Sequence, residues 1–300
     1  MNNTFFLQIF FSKKTEAQYV FSFKNKVQFL VFAVLHLSFF VLFSCSAQSN
    51  PPADTSAYQL VDTIKVNARL IAADKLQQLY VVTKKNEVIK YDAEGNELFR
   101  YTNNTLGELT HIDATNPFSV LLYYPDYMMV YTLDRTLNKT GEFNLFDLDL
   151  TVVQTVALSN DNNVWLYDDV FYKIKKVNRN GDVLRESANL LNQLDISLTP
   201  NFILERENWL YVNDVKLGVL VFDIYGQYSR TITLKDLLRF QILGSQLIYQ
   251  EGQELKSFHL QSLQTKIIDL PENVASEDQV IIKKNKLFVR KKDRVEIYKY

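Results

Sequence analysis

Beyond residue 57 the chain echoes itself about every forty residues, and a period of that length admits few folds. The clearest unit reads Leu79-Tyr80-Val81-Val82, a polar turn, Val88-Ile89-Lys90-Tyr91-Asp92, Ala93-Glu94-Gly95-Asn96, then Glu97-Leu98-Phe99-Arg100-Tyr101. Val164-Trp165-Leu166-Tyr167 opens a second unit that closes through Asn178-Arg179-Asn180-Gly181-Asp182 and Val183-Leu184-Arg185. Trp209-Leu210-Tyr211-Val212 opens a third, closed by Asp223-Ile224-Tyr225-Gly226-Gln227 and Tyr228-Ser229-Arg230. Their shared punctuation is Asp or Asn, two residues, then Gly. The first side chain caps a turn and the glycine supplies its positive φ.

Weaker copies begin at Val120-Leu121-Leu122-Tyr123, Leu247-Ile248-Tyr249 and Leu287-Phe288-Val289. Aligned on Tyr80, Leu121, Trp165, Leu210, Ile248 and Phe288, the six units recur at about 38–45 residues, and each is preceded by an apolar strand. Four short strands per unit make a propeller blade. The sixth unit has three strands, and Tyr58 to Val66 precedes the first with no unit of its own. The expectation is an all-β, six-bladed β-propeller of four-stranded blades, closed by an N-terminal strand that completes the last blade and covers its edge. A β-sandwich of short strands explains neither the period nor these complementary ends.

Units such as LYVVTKKNEVIKYDAEGNELFRY resemble NHL-type repeats and the wider six-bladed propeller lipoproteins of Gram-negative bacteria. The resemblance covers 58–300 and implies a fold, not a ligand, because propellers host many functions.

The first 57 residues read as an address and a tether. Val27 to Phe43 (VQFLVFAVLHLSFFVLF) is apolar, with Lys24 and Lys26 before it and Ser44-Cys45-Ser46-Ala47 after it. That order matches a secretory signal, and an uncleaved anchor helix is the alternative. Both readings export everything after Cys45. Leu42-Phe43-Ser44-Cys45 resembles the lipobox of bacterial lipoproteins, with Phe43 bulkier than the pattern, which implies acylation of Cys45. Cleavage after Ala47 stays open beside it. Residues 1–45 thus form the export segment, 46–57 a polar tether and 58–300 the propeller. Cys45 is the only cysteine, so an intramolecular disulfide and a cysteine-based metal cluster are excluded. The N-terminal lysines leave the rest of the chain mildly acidic, which argues against nucleic acid as a partner.

Inter-blade connections and the turns between second and third strands share one face of such a ring. Tyr124, Tyr127, Asp168, Asp169 and Asn213 fall in those turns and are the candidate binding face, although turns are ordinarily rich in such residues. Alternation of Thr110-His111-Ile112-Asp113 places His111 and Asp113 on one side of an innermost strand. They are either a hydrogen-bonded core pair or half of an acid-base or metal site. Arg69, Gln154, Glu205 and Arg239 are further inner-strand polar groups in no recognisable ligand pattern. Phe146-Asp147-Leu148-Asp149-Leu150 reads as a strand with one wet face, and Ser159-Asn160-Asp161-Asn162-Asn163 as an Asx-rich turn. No P-loop, nucleophile elbow or HExxH occurs. The expected function is a membrane-tethered envelope binding or scaffold module recognising a protein, peptide or glycan, with no cofactor and no metal. The alternative is a metal-dependent hydrolase or lactonase at the channel mouth.

Overall fold

The computed structural model describes residues 58–148, 150 and 152–300. The export segment, the tether and Cys45 lie outside them. The described chain is a six-bladed β-propeller built from six four-stranded antiparallel sheets. Five blades are continuous in sequence, over 68–102, 111–144, 156–186, 200–232 and 240–268. The sixth consists of Gln279–Lys283, Lys286–Arg290 and Arg294–Lys299, and the strand Gln59–Lys65 pairs with the last of these. Ile64 opposite Val295 and Lys65 opposite Arg294 set that register. The expected closure is therefore present.

Second strands are the most apolar part of each unit because both faces of a blade are covered, and a strand buried on two faces reads as a continuous apolar run. Leu79–Thr83, Ser119–Tyr124 and Val164–Asp168 are buried throughout, whereas the outermost Val183–Glu186 is fully exposed. Six apolar clusters result, each lying between two neighbouring blades. The one between the first and second blades joins Leu70, Tyr80 and Val82 to Ile112, Leu122 and Tyr124. The one at the closure joins Ile64, Val295 and Ile297 to Ile71, Leu79 and Val81.

Polar side chains on the inner strands stitch the blades together. Gln241 donates to Val280 O at 3.0 Å and accepts from Ile282 N at 3.0 Å. Gln279 does the same to Ile71 O and N, at 2.9 Å each. Asp113 accepts from Leu158 N at 2.9 Å. Each bond satisfies a backbone group that would otherwise face the channel wall alone.

The capped turns join third to fourth strands. Asp92 accepts from Glu94 N and Asn96 N, and Asp223 from Tyr225 N and Gln227 N. His259 replaces the acid in the fifth blade, its Nδ1 accepting from Gln261 N and Ser262 N. Gly95 has φ 94°, as that position requires, and Leu137 adopts φ 63° at the equivalent place in the second blade. Leu137 is buried in the inter-blade core, and this offsets the left-handed strain.

One segment differs from its expected form. Leu145–Leu148 is a 3-10 turn rather than the strand read from alternating residues 146–150. Its first amide donates to Met128 O at 2.9 Å, which fastens it to a neighbouring turn, so no ladder can form there.

Candidate functional site: the upper face and the channel

Antiparallel connection fixes what each face carries. A chain that enters the inner strand from one face returns to that face after the second strand. Inter-blade connections and second-to-third turns therefore share an upper face, and the remaining turns share the lower one.

The structure separates the candidate face residues into two groups. Tyr127 is 51% exposed in the short turn Pro125–Tyr127. Tyr124, Asp168 and Asn213 are buried, against the expectation that they lie on the rim. The reason is their position at the ends of second strands, which run between two blades. Tyr124 packs edge-on against Tyr131 at 5.8 Å, and burial raises its pKa. Asp168 accepts from Val170 N at 2.9 Å and Phe171 N at 3.1 Å, and pairs with Lys175 at 2.5 Å. Asn213 donates to Leu237 O and Asn201 Oδ1, both at 2.6 Å. Asp169, half-buried, follows Asp168 in the same turn.

Asp168 and Asn213 thus hold loops whose neighbouring residues are presented to solvent. Asp168 fixes the turn carrying Val170 and Phe171, and Asn213 the connection carrying Leu238. Exposure is 57% for Phe171, 54% for Phe146 and 75% for Leu238. Phe146 sits beside Tyr127, because Leu145 N donates to Met128 O. Phe171 sits beside the short helix Leu190–Leu194, since Asn189 Nδ2 donates to Phe171 O at 2.9 Å and Leu190 N to Tyr172 O at 2.8 Å. Exposed Leu191 belongs to that helix. Val170 and Phe171 were missed in the sequence because they stand two and three residues beyond their buried anchor Asp168, and Leu238 because its anchor Asn213 is distant in sequence.

A cavity of about 1120 Å³ occupies the channel, lined by residues of the first, second, fourth, fifth and sixth blades. His111, Asp113, Arg69 and Arg239 are among its lining, while Glu205 and Gln154 are not. His111 and Asp113 do share a side of their strand, yet they do not form a hydrogen-bonded pair. Asp113 is taken by Thr115 N and Leu158 N, both at 2.9 Å, and His111 Nε2 has no hydrogen-bond partner among the described residues. Among the described residues no three His, Cys, Asp or Glu side chains come together as a metal donor set. The Asx-rich Ser159–Asn163 segment is a turn as expected, closed by Asn162 N donating to Ser159 O at 2.9 Å.

Burial, and secondarily the Arg239 guanidinium, pushes the His111 pKa down to about 3. The Phe202 ring lies tilted against the His111 ring, centroids 6.0 Å apart. The unfolded chain takes up this proton near pH 6.5, whereas the folded chain resists until far lower pH. Stability from His111 is therefore whole above about pH 6.5 and falls as pH drops toward 3. Between pH 7 and pH 5, His111→Gln is expected to lose about 2 kcal/mol less stability than the parent protein in urea unfolding. Equal losses would show that His111 is not held neutral.

No protein-family model matches the chain, and no curated protein matches its sequence. Solved structures resemble it in fold. Virginiamycin B lyase from Staphylococcus aureus aligns with a TM-score of 0.54 at 11% identity, covering 81% of this chain and 99% of that one. The Pan2 WD40 domain of Neurospora crassa aligns at 0.55 and 10% identity, covering 81% and 95%. A structural-genomics protein of unknown function from Bacteroides thetaiotaomicron aligns at 0.55 and 12% identity, covering 81% and 75%. At such identities the likeness concerns the fold alone.

Proposed function

We propose that the protein is a binding or scaffold module of the cell envelope, held to a membrane through acylated Cys45, which docks a partner protein or peptide by its upper face. The observation that carries this reading is the set of exposed apolar tips, Tyr127, Phe146, Val170, Phe171 and Leu191, on adjacent blades. Hydrogen bonds fix the backbone beneath them. Exposed apolar clusters on a rigid frame mark interaction surfaces. Aromatic anchors lose little side-chain entropy when a partner covers them. The mixture of aromatic and aliphatic tips suits a protein surface better than a glycan, whose hydroxyls call for polar partners beside an aromatic face.

Photocrosslinking in cells tests the face directly. A benzoyl-phenylalanine at Phe171 is expected to give a discrete adduct. The same probe at Phe118, 60% exposed on the lower face, is expected to give none. Adducts from Phe118 alone, or from both equally, would reverse the assignment. The double variant Tyr127→Ala/Phe171→Ala should weaken capture of the crosslinked partner about tenfold or more while leaving stability within about 1 kcal/mol, because these side chains pack on little.

The anchor has its own test. Cys45→Ala should abolish metabolic labelling by fatty acid and release the protein from membranes, since each buried methylene of an acyl chain contributes about 0.8 kcal/mol. Label persisting in the variant would refute acylation of Cys45, and a mature N-terminus at Gln48 in the parent protein would show cleavage after Ala47 instead.

A further inference from the structure

Eight of the residues lining the channel are Arg or Lys and six are Asp or Glu. Four of these six acids are engaged. Glu108 pairs with Arg69 of the same lining, Asp278 with Lys291 at 2.8 Å and Glu251 with Lys256, and Asp113 is held by backbone amides. Arg239, Arg206 and Lys283 make no ion pair among the described residues. A folded chain that is acidic outside its export segment thus concentrates uncommitted positive charge inside its ring.

The charge is arranged at two stations. Arg206 and Lys283 end their inner strands toward the lower face. Arg239 stands just ahead of the inner strand Phe240–Leu243, at the upper mouth. Its guanidinium lies over the Phe202 ring, 5.6 Å from the centroid, and its hydrogen bond among the described residues is a long 3.4 Å contact to Thr110 O. It keeps a water-accessible surface although the channel wall encircles it, and encirclement together with Arg69 lowers its pKa. Beside it stands His111, 5% exposed and lining the same cavity, whose Nε2 lacks a partner among the described residues. A buried ring nitrogen left unbonded is unfavourable unless something reaches it. Phe202 meets His111 at 6.0 Å and Phe240 edge-on at 5.1 Å, so the charged station adjoins an aromatic wall.

We propose that the upper channel mouth binds a small planar organic anion, a carboxylate or phosphate monoester. The Arg239 guanidinium grips its charge, His111 Nε2 hydrogen-bonds it and the Phe202 edge contacts its apolar body. Guanidinium matches carboxylate and phosphate geometry with two parallel bonds, which an ammonium cannot do. Aromatic neighbours select a flat body over a branched one. This site is separate from the exposed tips of the docking face, and its occupancy does not depend on them.

Benzoate and phenyl phosphate serve as probes, with benzamide as the neutral isostere, and binding is read by calorimetry and by the His111 ring resonances in NMR. At least one anion is expected to bind and to shift the His111 signals, with benzamide silent. Preference for one of the two assigns the ligand as carboxylate or phosphate ester. Arg239→Gln should weaken binding about tenfold or more, and Arg239→Lys should recover part of it. Arg206→Gln at the opposite station, and Tyr127→Ala/Phe171→Ala on the docking face, should bind the probe as the parent does. Silence of both anions at millimolar concentration overturns the proposal, as does undiminished binding by Arg239→Gln with an unchanged melting temperature. Loss of binding in Arg206→Gln with retention in Arg239→Gln would move the site to the other end and overturn it equally. Anion binding that survives in a docking-face variant which has lost its partner would separate this site from the docking reading.

Discussion

Deleting residues 58–66 is expected to lower the melting temperature by about 10–20 °C and to make the protein aggregate on heating. The strand Gln59–Lys65 supplies the fourth strand of the sixth blade and pairs along Arg294–Lys299. Ile64 packs into the closure cluster with Val81, Phe288 and Ile297, and the Tyr58 ring packs tilted against Tyr300 at 5.3 Å. Losing a buried isoleucine and uncovering its partners removes about 5 kcal/mol. In a domain of this size each kcal/mol is worth about 2–4 °C. The deletion also leaves Arg294–Lys299 with free backbone N–H and C=O groups, a template for pairing with another copy. Removing 50–56 instead should change the melting temperature by under about 2 °C, because a polar tether offers little to bury. Equal melting curves for the two deletions would show that the ring does not depend on this strand.

Blade number, strand order and closure were legible because they follow from period and patterning, and the apolar second strands have no other stable placement. The capped turns were legible for the same reason: Asp92 and Asp223 bond amides two and four residues on, an interaction local in sequence. The site was much less so. Tyr124 and Tyr127 are three residues apart and look alike in sequence, yet one is buried and the other half in water. The difference is set by where the neighbouring blade ends, which is a contact distant in sequence. His111 and Asp113 were placed on one side correctly, but Asp113 is claimed by Leu158 N of the next blade. Residues 146–150 alternate as a strand does, and a single bond from Leu145 N to Met128 O outweighs that pattern. Arg239 stood out as an inner polar residue, while the engagement of four of the channel's acids was visible only once the ring was closed.

The same dependence on cross-blade contacts makes Glu205 a staple between blades. It is 2% exposed on the inner strand Pro200–Arg206 and reaches back to the preceding blade. There its carboxylate accepts from Ser159 Oγ at 2.8 Å, Asn160 N at 3.1 Å and the Trp165 indole N–H. Lys176 Nζ stands 3.9 Å away, over the Trp165 ring at 4.8 Å, with Asp161 as its other partner at 3.2 Å. Glu205→Ala removes the acceptor for three donors at once and leaves a nearly buried ammonium with one carboxylate that is itself half in water. Breaking a buried network from one side costs about 3–5 kcal/mol, so a fall of roughly 10–15 °C in melting temperature is expected. Glu205→Gln keeps the shape and one acceptor oxygen but turns an NH₂ toward donors, and should lose about 2 kcal/mol. Adding Lys176→Met to Glu205→Ala should make the pair less unstable than the sum of the single changes, because the unmatched charge is then gone. A Glu205→Ala protein within about 1 kcal/mol of the parent in urea unfolding would show that the blades are held by their apolar faces alone, with the polar staple dispensable.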